Sequence, residues 1–281
     1  MSRPRLLVLS LGGTITMVPT AEGGIAPRLG AAELVASVPA LGEVAEIEAR
    51  SPFRLPSPSL TLEAIVDVAG TIEQGFAEGF DGAVVIQGTD TIEESAFLLD
   101  LLVESDNPVV VTGAMRGADA PGADGPANLL SAAIVAGSEE ARGLGTLAVL
   151  NYDIHAARFV QKSHTALPSA FVSPLAGPVG LVAEGRLSVF LRPPRTEPMG
   201  VKRPYSESAL AEMRSPGAAG RGAPARGDFV GQVGLAHGAR LAARRAVAQQ
   251  VVARFLDDDL ERLRRRLRGL AHAGQLDLPR I

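Results

Sequence analysis

A doubly wound α/β domain with a mainly parallel sheet, of the Rossmann-like or flavodoxin-like kind, is predicted for residues 1–192 on three observations. First, Leu6–Leu11, Ala83–Gln87, Val109–Thr112 and Leu147–Leu150 are short, almost wholly apolar runs. Such runs are what strands covered on both faces require. Second, segments with helical periodicity, Ala31–Val38, Leu60–Phe76, Ile92–Val103 and Pro126–Val135, alternate with them. This alternation of strand and helix is the signature of the class. Third, Gly12-Gly13-Thr14 and Gly88-Thr89-Asp90 follow directly on two of the runs, at the carboxyl ends of strands where such sheets bind ligands. Thr91 and Glu94 are spaced as a capping box, so a helix is expected to start immediately after Asp90.

Composition narrows the function. Of 281 residues 46% are hydrophobic, enough for a substantial core. A net charge of −4 argues against nucleic acid as the main partner. With no cysteine, disulfides, thiol catalysis and cysteine metal sites are excluded. The four histidines lack ligand spacing, so no metal is expected. The basic start, Met1 to Arg5, leads into an apolar run that Gly12 interrupts too early for a signal peptide, and no run reaches membrane-spanning length. The expected address is the cytoplasm, without membrane attachment. Among the basic residues only Lys162 and Lys202 are lysine. An ammonium at Lys162, where arginine is the rule, points to a task a guanidinium cannot do.

The texture changes after Leu191. Residues 193–238, rich in Pro, Gly, Ala and Arg, read as a flexible linker, and residues 239–281 as an arginine-rich helical tail.

The chemistry-bearing residues lie earlier. In Leu11-Gly-Gly-Thr-Ile-Thr16 two glycines let the backbone approach a ligand and Thr14 offers a hydroxyl. A plain tight turn would read the same, but a dinucleotide fingerprint would not, since that needs GxGxxG. Gly88-Thr-Asp-Thr91 packs hydroxyls, a carboxylate and a helix N-terminus into four residues. Capping accounts for Thr91 and for Asp90, yet not for Thr89 or Gly88. Lys162, by default a solvated charge, can serve as base for a threonine if it sits in a cleft beside a carboxylate. His155 and His164 are read as structural or surface residues rather than bases.

These residues carry a family resemblance. Leu11-Gly-Gly-Thr-Ile15, Ile86-Gln-Gly-Thr-Asp-Thr-Ile-Glu-Glu94, Val111-Thr-Gly-Ala-Met-Arg116 and Ala123-Asp-Gly-Pro126 stand in the order seen in bacterial-type L-asparaginases, which the chain resembles over about residues 5–200. The resemblance implies catalytic roles for Thr14, Thr89, Asp90 and Lys162, with Ser57, Gly88 and Ala114 at the substrate. It implies hydroxyl attack on the amide of L-asparagine, backbone N–H groups near Thr89 and Ala114 holding the oxyanion, and no cofactor. It further implies a homo-oligomer, dimer or tetramer. Three features depart from the family. Gly24 aligns where a loop tyrosine is usual, and no asparagine follows Asn151 to supply the one the family's smaller C-terminal α/β domain contributes. Nor does the arginine-rich tail resemble that domain, so impaired activity is expected. The alternative is an inactive asparaginase-like protein that binds an amino acid or a protein partner.

Overall fold

A computed structural model describes residues 2–19, 25–27, 29–195 and 198. Its strands are β1 (Arg5–Ser10), β2 (Met17–Pro19), β3 (Ile25–Pro27), β4 (Glu46–Arg50), β5 (Gly82–Ile86), β6 (Val109–Thr112), β7 (Thr146–Leu150), β8 (Asp153–Ala156), β9 (Gln161–Lys162), β10 (Phe171–Val172), β11 (Gly180–Ala183) and β12 (Arg186–Val189). The α-helices are α1 (Ala31–Ala36), α2 (Leu41–Val44), α3 (Leu62–Ala77), α4 (Ile92–Leu102) and α5 (Gly125–Ala136). The main sheet has eight strands in the order β12-β11-β8-β7-β6-β5-β1-β4. From β4 to β7 neighbours run parallel, and β8, β11 and β12 add an antiparallel edge. The predicted α/β class is the observed one.

Alternation along the strands explains the layering. Leu6, Val8, Val84, Ile86, Val110, Leu147 and Val149 are buried in one cluster with Leu34, Leu41, Leu129 and Ala132 of α1, α2 and α5. Residues of the opposite parity, Leu7, Leu9, Val85 and Val111, are equally buried and face the other way. There Gly75 of α3 lies so close to Leu7 that a Cβ would sit 2.8 Å from its side chain. Both faces are therefore covered, which is why these strands read as continuous apolar runs.

The chain order creates the crevice. From β1 the sheet grows to one side, to β4; the chain then crosses back to β5 on the other side and grows away through β6 and β7. The direction reverses between β1 and β5, so the loops after these two strands flank the switch point where open α/β sheets take ligands.

Two local expectations are corrected. Helix α3 begins at Leu62 rather than Leu60, because the Thr61 hydroxyl accepts the Ala64 N–H and caps it. Thr91 holds the N-cap position of α4, but its side chain makes no cap hydrogen bond. Its hydroxyl donates instead to the Ser57 carbonyl at 3.2 Å and accepts from Gln87 Nε2 at 3.3 Å, so the capping box does not form. The linker and helical tail expected over 193–281 fall almost entirely outside the described residues, as does Gly24.

Among the described residues no helix is long and apolar enough to cross a membrane. His155, on β8, is 1% exposed, and its Nδ1 lies 2.9 Å from Ser173 Oγ while Nε2 has no hydrogen-bond partner. Burial pushes its imidazole down to about 4 from an ordinary 6.5. The unfolded chain therefore binds the proton more readily, so this contribution to stability is complete above about pH 6.5 and is lost as pH falls towards 4. The expected result is a loss on the order of 3 kcal/mol across that window, measured by urea titration. A His155→Phe variant should show a correspondingly flatter profile.

Candidate active site

Backbone packing brings four segments together. Gly13 has φ +95°, and a Cβ on it would lie 2.2 Å from the Gly88 nitrogen and 2.3 Å from its Cα. The loops after β1 and β5 thus touch main chain to main chain, and only glycine permits it. Gly88 is in turn covered by Ser57, whose Oγ would be 2.8 Å from a Cβ there. Gly113, in the loop after β6, approaches the Gln87 carbonyl so closely that a Cβ would sit 2.5 Å from it. Thr14 and Thr89 each follow directly on one of the touching glycines Gly13 and Gly88. Thr14 is half-buried and opens a short 3-10 turn whose Thr16 hydroxyl returns to the Gly13 carbonyl at 2.7 Å. Thr89 is 7% exposed and opens a second such turn, Thr89–Thr91, ahead of α4.

Lys162 comes from the far side of the sequence. Its Nζ donates to Thr89 Oγ1 at 2.8 Å and to Asp90 Oδ1 at 2.7 Å. The lysine side chain is 5% exposed whereas that of Asp90 is 57% exposed, so the carboxylate faces solvent and the ammonium is buried. A buried cation is tolerated when an anion and a hydroxyl are in reach, and both are here. The arrangement connects a threonine hydroxyl, an amino group and a carboxylate in one hydrogen-bonded line, the layout of an activated nucleophile or base relay.

Ala114 is buried in the loop after β6. Asp124 holds that loop, its two carboxylate oxygens accepting the Met115 and Arg116 N–H groups at 2.9 Å each. Asn128 donates to the Gly113 carbonyl at 2.9 Å and to Asp124 at 3.1 Å, and accepts the Asn151 N–H at 2.9 Å. Sequence reasoning gave neither residue a role, although Asp124 falls in the Ala123–Pro126 motif. Asp124 precedes a Gly-Pro helix start and reads as an N-cap, but its carboxylate serves the loop and not the helix. The buried Glu93, within the Ile86–Glu94 motif, was likewise given no role, although it accepts the Lys162 main-chain N–H at 3.0 Å. An acid in a helix's first turn ordinarily reads as a dipole effect.

Of the residues singled out from sequence, Thr89, Asp90 and Lys162 are joined by hydrogen bonds, and Ser57, Gly88 and the Thr14 loop are packed against them. Neither His155 nor His164 is hydrogen-bonded to this line: His155 is paired with Ser173, and His164 accepts a long bond from the Ala166 N–H. No group of three or more His, Asp or Glu placed to hold a metal ion occurs among the described residues.

A family model, "Asparaginase, N-terminal", matches residues 5–195. The chain belongs to the asparaginase family. Its relatives in that family include the probable L-asparaginase of Deinococcus radiodurans, 40% identical over 75% of this chain and 64% of that one. Another is the glutaminase-asparaginase of Pseudomonas fluorescens biotype A, 35% identical over 69% of this chain and 55% of that one. Among solved structures, the probable cytoplasmic L-asparaginase from Campylobacter jejuni superposes with a TM-score of 0.65 at 33% identity, over 73% of this chain and 63% of that chain. The asparaginase-like match thus spans between about half and two-thirds of the length of these relatives.

Proposed function

We propose that the chain hydrolyses L-asparagine to L-aspartate and ammonia by threonine nucleophilic catalysis. The observation that carries this reading is the line from Thr89 through Lys162 to Asp90, with contacts of 2.8 and 2.7 Å, set beside the Thr14 loop at the sheet's switch point. Thr14 attacks the side-chain amide carbon, ammonia leaves with the proton it needs, and water then attacks the acyl-enzyme to release aspartate and restore the hydroxyl. Thr89 and Lys162 move the proton, and Asp90 holds the ammonium in place whenever the lysine carries it. Main-chain N–H groups near Thr89 and Ala114 stabilise the oxyanion, with Asp124 and Asn128 keeping the second of these loops rigid. Ser57 and Gly88 form the wall that receives the substrate's α-carboxylate.

The relatives' names, L-asparaginase and glutaminase-asparaginase, set the two amides to compare. Purified full-length protein is expected to release ammonia from L-asparagine faster than from L-glutamine, in a coupled assay between pH 6 and 9, a window of roughly the range over which an amine base operates. Folded protein that turns over neither amide, yet binds asparagine in a calorimeter, would establish the non-catalytic reading instead.

The proposed compartment is the cytoplasm, supported by the likeness to the probable cytoplasmic L-asparaginase of Campylobacter jejuni. A dimer or tetramer is the proposed assembly, to be read by light scattering. The proposed catalytic unit is residues 1–192.

A further inference from the structure

Lys162 is carried on an unusually weak support. Strand β9 has two residues, and its partner β10 also has two; their ladder is separate from the main sheet. A side chain on so short a ribbon needs another anchor if its ammonium is to remain at Thr89. Glu93 is placed to be that anchor. It lies on the first turn of α4, three positions beyond Asp90, and its Oε2 accepts the Lys162 main-chain N–H at 3.0 Å. Glu93 and Lys162 are 7% and 6% exposed, so the bond is shielded from water. A carboxylate accepting a main-chain N–H in such a setting makes one of the stronger hydrogen bonds available.

The geometry points to Glu93 as a positioning residue that clamps the main chain of Lys162, so that one helix start grips the lysine at both ends. Thr89 and Asp90 hold its ammonium and Glu93 holds its backbone. The clamp itself stands on the hydrogen bonds; its consequence for turnover rests on the asparaginase reading above.

Three variants separate this role from a helix-dipole role. Glu93→Gln keeps an acceptor at the same reach and removes the charge. Glu93→Asp keeps the charge and shortens the reach. Glu93→Ala removes both. For a clamp, Gln stays within about fivefold of the wild-type kcat, while Asp and Ala lose about 10- to 100-fold with KM changed little, as displacement of a reacting group does. For a dipole effect alone, Asp behaves as wild type and Gln does not.

A second readout does not need activity. The chain has two lysines, Lys162 and Lys202, so acetylation by an amine-reactive ester can be followed at each by mass spectrometry. Acetylation of Lys162 is expected to be slow in the wild type and in Glu93→Gln, and at least about tenfold faster in Glu93→Asp and Glu93→Ala. Circular dichroism melts show which variants are folded at the labelling temperature, and Glu93→Asp, a smaller truncation than Glu93→Ala, decides if Glu93→Ala does not fold. Equal protection of Lys162 in wild type and folded Glu93→Asp would overturn the clamp, as would a Glu93→Gln that labels as fast as Glu93→Asp. Wild-type protein that releases no ammonia would sink the asparaginase reading and leave the labelling result intact.

Discussion

Replacing Lys162 by methionine is expected to cut kcat for asparagine by about 10³-fold or more, with the fold retained. Methionine fills nearly the volume of the lysine stem, so the buried site loses little packing. The ammonium's partners fare differently. Asp90 is 57% exposed at its side chain and recovers its hydration, so removal of the cation leaves no buried unpaired anion. Thr89, almost buried, loses the group 2.8 Å from its oxygen. The damage therefore falls on proton transfer more than on stability. A Thr89→Val variant interrupts the same line at its other end. The double variant Thr89→Val with Lys162→Met should consequently be scarcely worse than either single one, because groups that act as a unit do not add. Steady-state kinetics on the three proteins measure this. A folded Lys162→Met protein keeping more than about a tenth of wild-type kcat would remove the lysine from the relay.

What the sequence could and could not convey follows from the range of each interaction. The four parallel strands flanking the site were readable because burial on both faces leaves nearly unbroken apolar runs, as Val109–Thr112 shows. Strand β4 carries no such run: Glu46–Arg50 lies at the sheet edge, alternates in exposure, and reads as charged surface. The glycine-threonine segments could be placed at strand ends because the strands themselves were plain. Their contact could not be placed, since nothing local tells that Gly13 and Gly88 meet. Lys162 stood out by composition alone, and its partners Thr89 and Asp90 lie more than seventy positions away. Glu93, Asp124 and Asn128 were hidden by ordinary local explanations, a first-turn acid, an N-cap and a helix interior. Each turns out to serve a main-chain group on a different element. Polar residues that act on another element's backbone leave no periodic trace, and so are the part of a site least legible in one chain.

Gly13→Ala is expected to cost both stability and turnover heavily. Gly13 has φ +95° and ψ −177°, a region essentially closed to L side chains. The added Cβ would also meet the Gly88 nitrogen at 2.2 Å, the Gly88 Cα at 2.3 Å and the Gln87 carbonyl carbon at 2.7 Å. All three are main-chain atoms at the end of a central strand, so no flexible side chain can swing aside. Backbone strain and overpacking together predict a loss of about 2–5 kcal/mol in urea unfolding. The surviving folded molecules must hold the two loops apart, which displaces Thr14 relative to Thr89. A shift on the order of 1 Å at reacting groups is enough for a loss of about 100-fold in kcat. Gly143→Ala supplies the control, because Gly143 has φ +73° but nothing within 4 Å of its would-be Cβ. That variant should carry only the conformational penalty, roughly 1 kcal/mol, and full activity. If Gly13→Ala unfolds at the same urea concentration as Gly143→Ala and releases ammonia at the wild-type rate, the two loops are not in contact at Gly13 and Gly88.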